Sequence, residues 1–305
     1  MRVFVTGATG FVGSAVTAEL LAHGHAVLGL ARSQARAADL ERQGAESLIG
    51  DLAAPETLQK GAQDCDAIIH TGFVHDFARF AECCAIDEAA IEAMGAAIKG
   101  EAKPFIVTAG LAGLGVADRA ATEGDLAPPP SPAHPRASDS TARRLSASGI
   151  PTAIMRLPPS VHGRGDHGFV PMLIDMARRQ GRSAYIGEGD NVWPAVHVSD
   201  AARAFRLAIE QGPGAETFHA AAEAGLAFRE IAHAIAEGLD LPCVSLTGEE
   251  ARAHFGWFLG FAVMHQPVSS VWTQERLGWK PTGPDLLSDI RHAGYVAADP
   301  VPAGP

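Results

Sequence analysis

The chain has 305 residues, of which 47% are apolar and 19% charged, and it carries a formal net charge of −11. That is enough apolar material for one large domain or two smaller ones. The acidic balance, with no Lys/Arg-rich run, argues against nucleic acid as a partner, because it repels a phosphate backbone.

In chain order, VFVTG (3–7) reads as a strand, and residues 11–21 have apolar side chains at helical spacing. AVLGLA (26–31) is a second strand, 34–43 a helix, ESLIGD (46–51) a third strand and DAIIHTG (66–72) a fourth. The Ala-rich stretch 77–98 is helical, and PFIVTAG (104–110) is a fifth strand. The Pro-rich loop that follows excludes regular structure until a helix near 136–148 and a strand at 152–157. Apolar strands alternating with helices predict an α/β fold, a doubly wound parallel sheet of the Rossmann kind. After about residue 158 the pattern loosens into short strands near 183–186 and 193–198 and helices near 199–211, 228–238, 270–277 and 284–293. The tail 297–305 is expected to fray.

The four cysteines form no Cys-x-x-Cys pair and read as reduced thiols of a cytoplasmic protein. Met1 leads straight into a strand, so no signal peptide is expected. The longest apolar run, FGWFLGFAVM (255–264), is about half the length of a membrane-crossing helix, so no membrane partner is expected. The run could instead wall an apolar substrate pocket, form a subunit contact or pack in a core.

Gly7, Gly10 and Gly13 follow a strand and open a helix, the context of a dinucleotide-binding turn. Gly7 would permit the tight turn, Gly10 the approach of a pyrophosphate, and Gly13 close packing of helix on sheet. Gly7, Thr9, Gly10, Phe11, Val12 and Gly13 are the loop residues expected to bind the cofactor through the helix N-terminus. The second strand ends in Arg32 and Ser33, where an NAD site usually has an acidic acceptor for the ribose 2′-hydroxyl. A guanidinium suits a 2′-phosphate, so NADP(H) is the expected cofactor, with NAD(H) possible.

TGATGFVG (6–13), Asp51-Leu52 and RLPPSVHG (156–163) together resemble the extended or atypical short-chain dehydrogenase/reductase superfamily, in its NAD-dependent epimerase/dehydratase branch. The resemblance implies that Asp51 and Leu52 meet the adenine. It implies that His70, Thr71 and Gly72 lie along the pyrophosphate and ribose, and that Pro158, Pro159 and Ser160 line the nicotinamide end. His162 would stand near the mouth of the substrate cleft. NVWPAVHVSDAARA (191–204) looks like the segment returning to the core. The expected organisation is a dinucleotide-binding domain over 1–160, with 191–210 returning to it, and a mainly substrate-binding domain over 161–305. A homodimer is also implied.

The superfamily's Tyr-x-x-x-Lys pair is missing. Arg136 falls about where the Tyr is expected and Ser140 where the Lys is expected, while Tyr185 and Tyr295 lack a Lys four residues on. Three readings stay open. A reductase could use other groups, with Thr108, Arg136, Ser138 and His162 as candidates and water as proton source; Arg136 could bind a substrate oxygen or carboxylate but not donate a proton. The chemistry could be slow or promiscuous. The chain could bind NADP(H) without turnover, as a regulator. The catalytic candidates are Thr108, Arg136 and His162, acting on a small-molecule carbonyl or alcohol substrate, expected to be a hydrophobic or aromatic ketone or aldehyde. A sugar-nucleotide epimerase or dehydratase is a further alternative, though that chemistry needs the Tyr proton shuttle and a basic clamp for the nucleotide diphosphate. HGRGDHG (162–168) reads as a substrate-side loop, with Asp166 capping the next helix and no metal expected.

Overall fold

The first half alternates strand and helix: β1 (Arg2–Thr6), α1 (Phe11–Ala22), β2 (Ala26–Ala31), α2 (Gln34–Arg42), β3 (Glu46–Ile49), α3 (Pro55–Gln63), β4 (Ala67–His70), α4 (Phe80–Ala97), β5 (Phe105–Gly110), α5 (Ser138–Ala147) and β6 (Thr152–Leu157). The second half runs β7 (Ser160–His162), α6 (Phe169–Gln180), β8 (Ser183–Ile186), β9 (Val192–His197), α7 (Val198–Glu210), β10 (Thr217–His219), β11 (Glu223–Ala227), α8 (Phe228–Leu239), β12 (Cys243–Leu246), α9 (Gly248–Phe255), α10 (Leu259–Ala262), α11 (Val271–Leu277) and α12 (Leu286–His292). The computed structural model describes residues 1–114, 116, 119–212, 214–292 and 294–296. The tail expected to fray, 297–305, lies outside them.

Seven strands form one parallel sheet in the order β10-β6-β5-β4-β1-β2-β3. The order reverses at β1, so a crevice opens at the carboxyl ends of β1 and β4, where doubly wound sheets take their ligands. Both faces are covered, as the unbroken apolar strands require. One face carries α1 and α7, with Val16, Leu20, Phe205 and Trp279 in the core. The other carries α3, α4 and α5, with Leu58, Ile91 and Met94. Burying each such side chain stabilises the fold by about 1.5–3 kcal/mol.

The second unit is built from a three-stranded sheet, β11-β9-β7, and a two-stranded one, β12-β8. Its core gathers Trp193, Phe228, Phe255, Phe258 and Leu286 under α6, α8 and α12. Phe255 and Phe258 show that the apolar run at 255–264 is in part core, although Trp257 and Val263 are exposed. The return to the main sheet extends beyond 191–210. β10 forms its outer strand, and Trp279, after α11, donates its indole N–H to the Asp200 carbonyl at 3.0 Å.

A buried charge fixes the edge next to the site. Arg156 in β6 has no exposed surface. It donates Nε–H to Asp139 in α5 at 2.8 Å, and its Nη1 lies 3.2 Å from His219 Nε2 in β10. His219 Nδ1 faces the Ser269 carbonyl at 2.9 Å, so Nδ1 holds the proton and Nε2 accepts from the arginine. The first turn of α5 is thereby pinned to the sheet. No helix among the described residues is long and apolar enough to cross a membrane.

Candidate functional site

The glycine turn closes tightly at the end of β1. Gly7 has a φ of +68°, and the Gly10 N–H donates to its carbonyl at 2.8 Å. A β-carbon on Gly13 would sit 2.0 Å from the Gly7 oxygen, so only glycine lets α1 start there. Gly10 caps α1, with no side-chain hydrogen bond and no acidic residue in the first turn. The amides of Phe11, Val12 and Gly13 therefore face outward without intrahelical acceptors, at the positive end of the helix dipole. That donor set fits a pyrophosphate.

Around the turn, Arg32 is exposed at the end of β2 and has no partner among the described residues. Ser33 caps α2, its Oγ accepting the Arg36 N–H at 3.4 Å. Asp51 accepts the Ala53 N–H at 2.9 Å, and Leu52 packs beside Gly72. Thr71 donates its hydroxyl to the Thr6 carbonyl at 2.8 Å.

His70 does not face the crevice with its ring. It is buried, with Nδ1 2.7 Å from Thr6 Oγ1 and Nε2 3.1 Å from Asp87 Oδ1. The other Asp87 oxygen accepts the Ser138 hydroxyl at 2.6 Å, and Ser138 accepts the Arg136 Nε–H at 3.0 Å. Thr6 Oγ1 accepts the Gly72 N–H at 3.3 Å. Every donor in this chain points toward Asp87, which sets the neutral tautomer of His70 with its proton on Nε2. Burial pushes the Asp87 carboxyl up, but His70, the Arg136 charge and Ser138 outweigh it and hold it below the usual carboxylate range. Asp87 is absent from the sequence-based candidates. Its signal is a lone carboxylate on the buried stripe of α4, in line with Cys83, Cys84, Ala90 and Ile91.

Thr108, on β5 one strand from His70, has a buried hydroxyl with no partner among the described residues. Arg136 is half-buried, its guanidinium 4.4 Å from the centre of the Phe73 ring. Ser140, where the lysine would stand, turns its hydroxyl back to the Ala137 carbonyl at 2.9 Å. Neither tyrosine lies on α5. Tyr185 is in β8, and Tyr295 is buried, accepting from the Gly163 N–H at 2.8 Å and donating to Asp166 at 2.9 Å. Arg136 and Ser138 are thus tied through Asp87 and His70 to the end of β1 beside the glycine turn, and Thr108 stands on the neighbouring strand with its hydroxyl enclosed.

His162 does not join them. It has no exposed surface, because β7 pairs with β9 and α12 covers its inner face. Its Nδ1 lies 2.6 Å from Asp289, and burial pushes its imidazole below the ordinary value despite that carboxylate. The expectation of a place at the cleft mouth is corrected to an internal joint, where its ring meets His197 edge-on at 5.5 Å. Pro158 is buried, and Ser160 Oγ is buried without a partner among the described residues. Asp166 does not cap α6; Gly168 does, and Asp166 accepts the Gly168 N–H at 2.6 Å, tightening the preceding turn. His167 reaches the glycine turn, its ring 6.1 Å from Phe11. Among the described residues no cluster of His, Cys, Asp or Glu is arranged to hold a metal.

The described parts of the loop after β5 dock on the segment around residues 266–268. Ala121 bridges Val268, the Gly113 N–H donates to Gln266 at 3.2 Å, and Leu111, Leu114, Ala121, Ala221 and Val268 form a small core.

Comparison with known proteins agrees with this geometry. An uncharacterized protein of Schizosaccharomyces pombe is 46% identical, over 97% of this chain and 100% of its own length. The 4-hydroxy-2-methyl-3-oxo-4-farnesyl-3,4-dihydroquinoline-1-oxide ketoreductase of Stigmatella aurantiaca is 28% identical, over 87% of this chain and 83% of its own. The 2-alkyl-3-oxoalkanoate reductase of Stenotrophomonas maltophilia is 31% identical, over 70% of this chain and 67% of its own. A dTDP-glucose 4,6-dehydratase from Streptomyces venezuelae, solved with NAD bound, shares the fold, with a TM-score of 0.76 and 21% identity over 97% of each chain. Residues 3–221 match the NAD dependent epimerase/dehydratase family, and the chain belongs to that family.

Proposed function

We propose that the protein is a nicotinamide-dinucleotide-dependent reductase that converts a ketone or aldehyde to an alcohol, with NADP(H) as the preferred cofactor. The observation that carries this is the glycine turn, whose outward amides open α1 at the carboxyl end of β1; the unpartnered Thr108 hydroxyl, on β5 one strand from His70, supports it. The turn and Arg32 would hold the diphosphate and the 2′-phosphate. The cofactor, when bound in reduced form, supplies a hydride to the carbonyl carbon. Thr108 would donate a hydrogen bond to the carbonyl oxygen and stabilise the charge that grows on it. Water supplies the proton that completes the alcohol. Two relatives named as ketone reductases support the same class of substrate.

The absence of the usual tyrosine favours one rival, a dinucleotide-binding protein without turnover. One assay separates them: NADPH absorbance followed with a panel of ketones and aldehydes, alongside direct titration of NADPH binding. Consumption above a heat-treated control, slowed in Thr108→Val more than cofactor binding is weakened, supports the reductase. Binding without consumption supports the rival.

A further inference from the structure

We propose that Arg136 seats a carboxylate of the substrate, so that the compound reduced is an oxo-carboxylate whose ketone lies against Thr108. This rests on the reductase reading above. A guanidinium has two edges that can take an oxygen pair. In Arg136 the Nε side is engaged by Ser138 at 3.0 Å, and the plane lies against Phe73 at 4.4 Å. The two terminal nitrogens have no partner among the described residues. They form the fork that matches a carboxylate.

The protein does not fill that fork itself. The acid joined to Arg136 through Ser138, Asp87, has one oxygen on His70 and the other on Ser138. The other titratable groups acting here are His75, whose ring touches Phe73 at 5.1 Å, His167, next to Phe11, and the buried Cys84 thiol of α4. Desolvation and then the charges of Arg136 and His167 push the His75 imidazole down. In a chain of net charge −11, the outer fork of Arg136 meets no carboxylate among the groups named.

The place is also right. Phe73 follows Gly72, whose backbone lies 2.7 Å from where a Gly7 β-carbon would be, so Arg136 stands above the glycine turn. Ser138, Asp87 and His70 hold it there from below, and the Arg156–Asp139 pair pins the same turn of α5. Ser138 and Asp87 are therefore positioning residues for the guanidinium. The carboxylate is unchanged in the reaction; it fixes the neighbouring carbonyl for reduction.

The test compares 3-oxooctanoate with methyl 3-oxooctanoate as substrates of the full chain with NADPH, and measures 3-hydroxyoctanoate binding to the NADP⁺-loaded protein by calorimetry. The expected result is a kcat/KM for the acid about 10- to 100-fold above the ester, the range of a charge-assisted pair. Arg136→Gln should erase that preference mainly through KM, and Arg136→Lys should restore part of it. Equal kcat/KM for acid and ester in the unaltered protein overturns the proposal while leaving the reductase reading intact. So does an Arg136→Gln variant whose only change is weaker NADPH binding, which would assign the fork to the cofactor. If no ketone is consumed but 3-hydroxyoctanoate binds through Arg136, the carboxylate seat stands and the reductase reading falls. Neither turnover nor binding overturns both.

Discussion

Replacing Gly13 with alanine tests the central piece of geometry. The added β-carbon would meet the Gly7 oxygen at 2.0 Å, the Gly7 carbonyl carbon at 2.6 Å and Thr71 Oγ1 at 2.7 Å. Two of these are backbone atoms, so the turn itself must move. Overpacking of this kind costs about 1–3 kcal/mol, against which alanine returns about 1 kcal/mol of helix propensity. Because the contact is far inside van der Waals range, the upper end applies, and a net loss of about 2 kcal/mol is expected. In a chain of this size that lowers Tm by about 3 °C. The shifted amides should also weaken NADPH binding at least about tenfold, a loss of about 1.4 kcal/mol. Gly260→Ala, in α10 with nothing within 4 Å of its new carbon, is the control and should leave NADPH affinity unchanged without lowering Tm. Thermal unfolding with fluorescence titration of NADPH reads both quantities. A Gly13→Ala protein with the Tm and affinity of the unaltered chain would refute the argument that this turn is shaped for a diphosphate.

Other outcomes follow from the same structure. Arg32→Ala should weaken NADPH binding about tenfold or more while barely changing NADH binding; equal losses for both cofactors would remove the assigned role. Asp87→Ala leaves His70 and Ser138 without their acceptor and should cost about 3 kcal/mol in urea unfolding, whereas a loss under ~1 kcal/mol would mean that the relay contributes little. Since its folded carboxyl is held below the ordinary value, Asp87 contributes stability above about pH 4 that is lost as pH falls through the depressed value. Asp166 behaves in the opposite way. Burial raises its carboxyl from 3.8 to about 6, so its contribution is full below 3.8 and lost as pH rises through 6, up to ~3 kcal/mol. Asp166→Asn should flatten the dependence of Tm on pH between 4 and 6, and an unchanged profile would rule out that assignment.

The sheet and the glycine turn were legible because their signals are local. Strands such as β1 and β4 are continuous apolar runs, and the glycine spacing sits between a strand and a helix. α3 escaped because its buried face offers only Leu58, Gly61 and Ala62, too little apolar periodicity to announce a helix. β10 is three residues, TFH, and its partner strand lies about 60 residues earlier. Position was legible where a residue lies beside a motif, as with Arg32 at the end of β2 and Arg136 just before α5. It was hidden where burial depends on distant chain. His162 read as a cleft residue because the helix that covers it carries Asp289, 127 residues away. Asp87 read as one more residue of an Ala-rich helix, since its partners come from β4 and α5.

The late return of β10 to the main sheet bears on how the chain is made. When residue 160 leaves the ribosome, the sheet still ends at β6, whose hydrogen-bonding edge is unsatisfied until Thr217–His219 arrive. Nor is the face that α7 will cover yet shielded. An open edge beside bare apolar surface invites pairing with a neighbouring nascent chain. A fragment cut near residue 160 should therefore aggregate, although it holds the entire glycine turn.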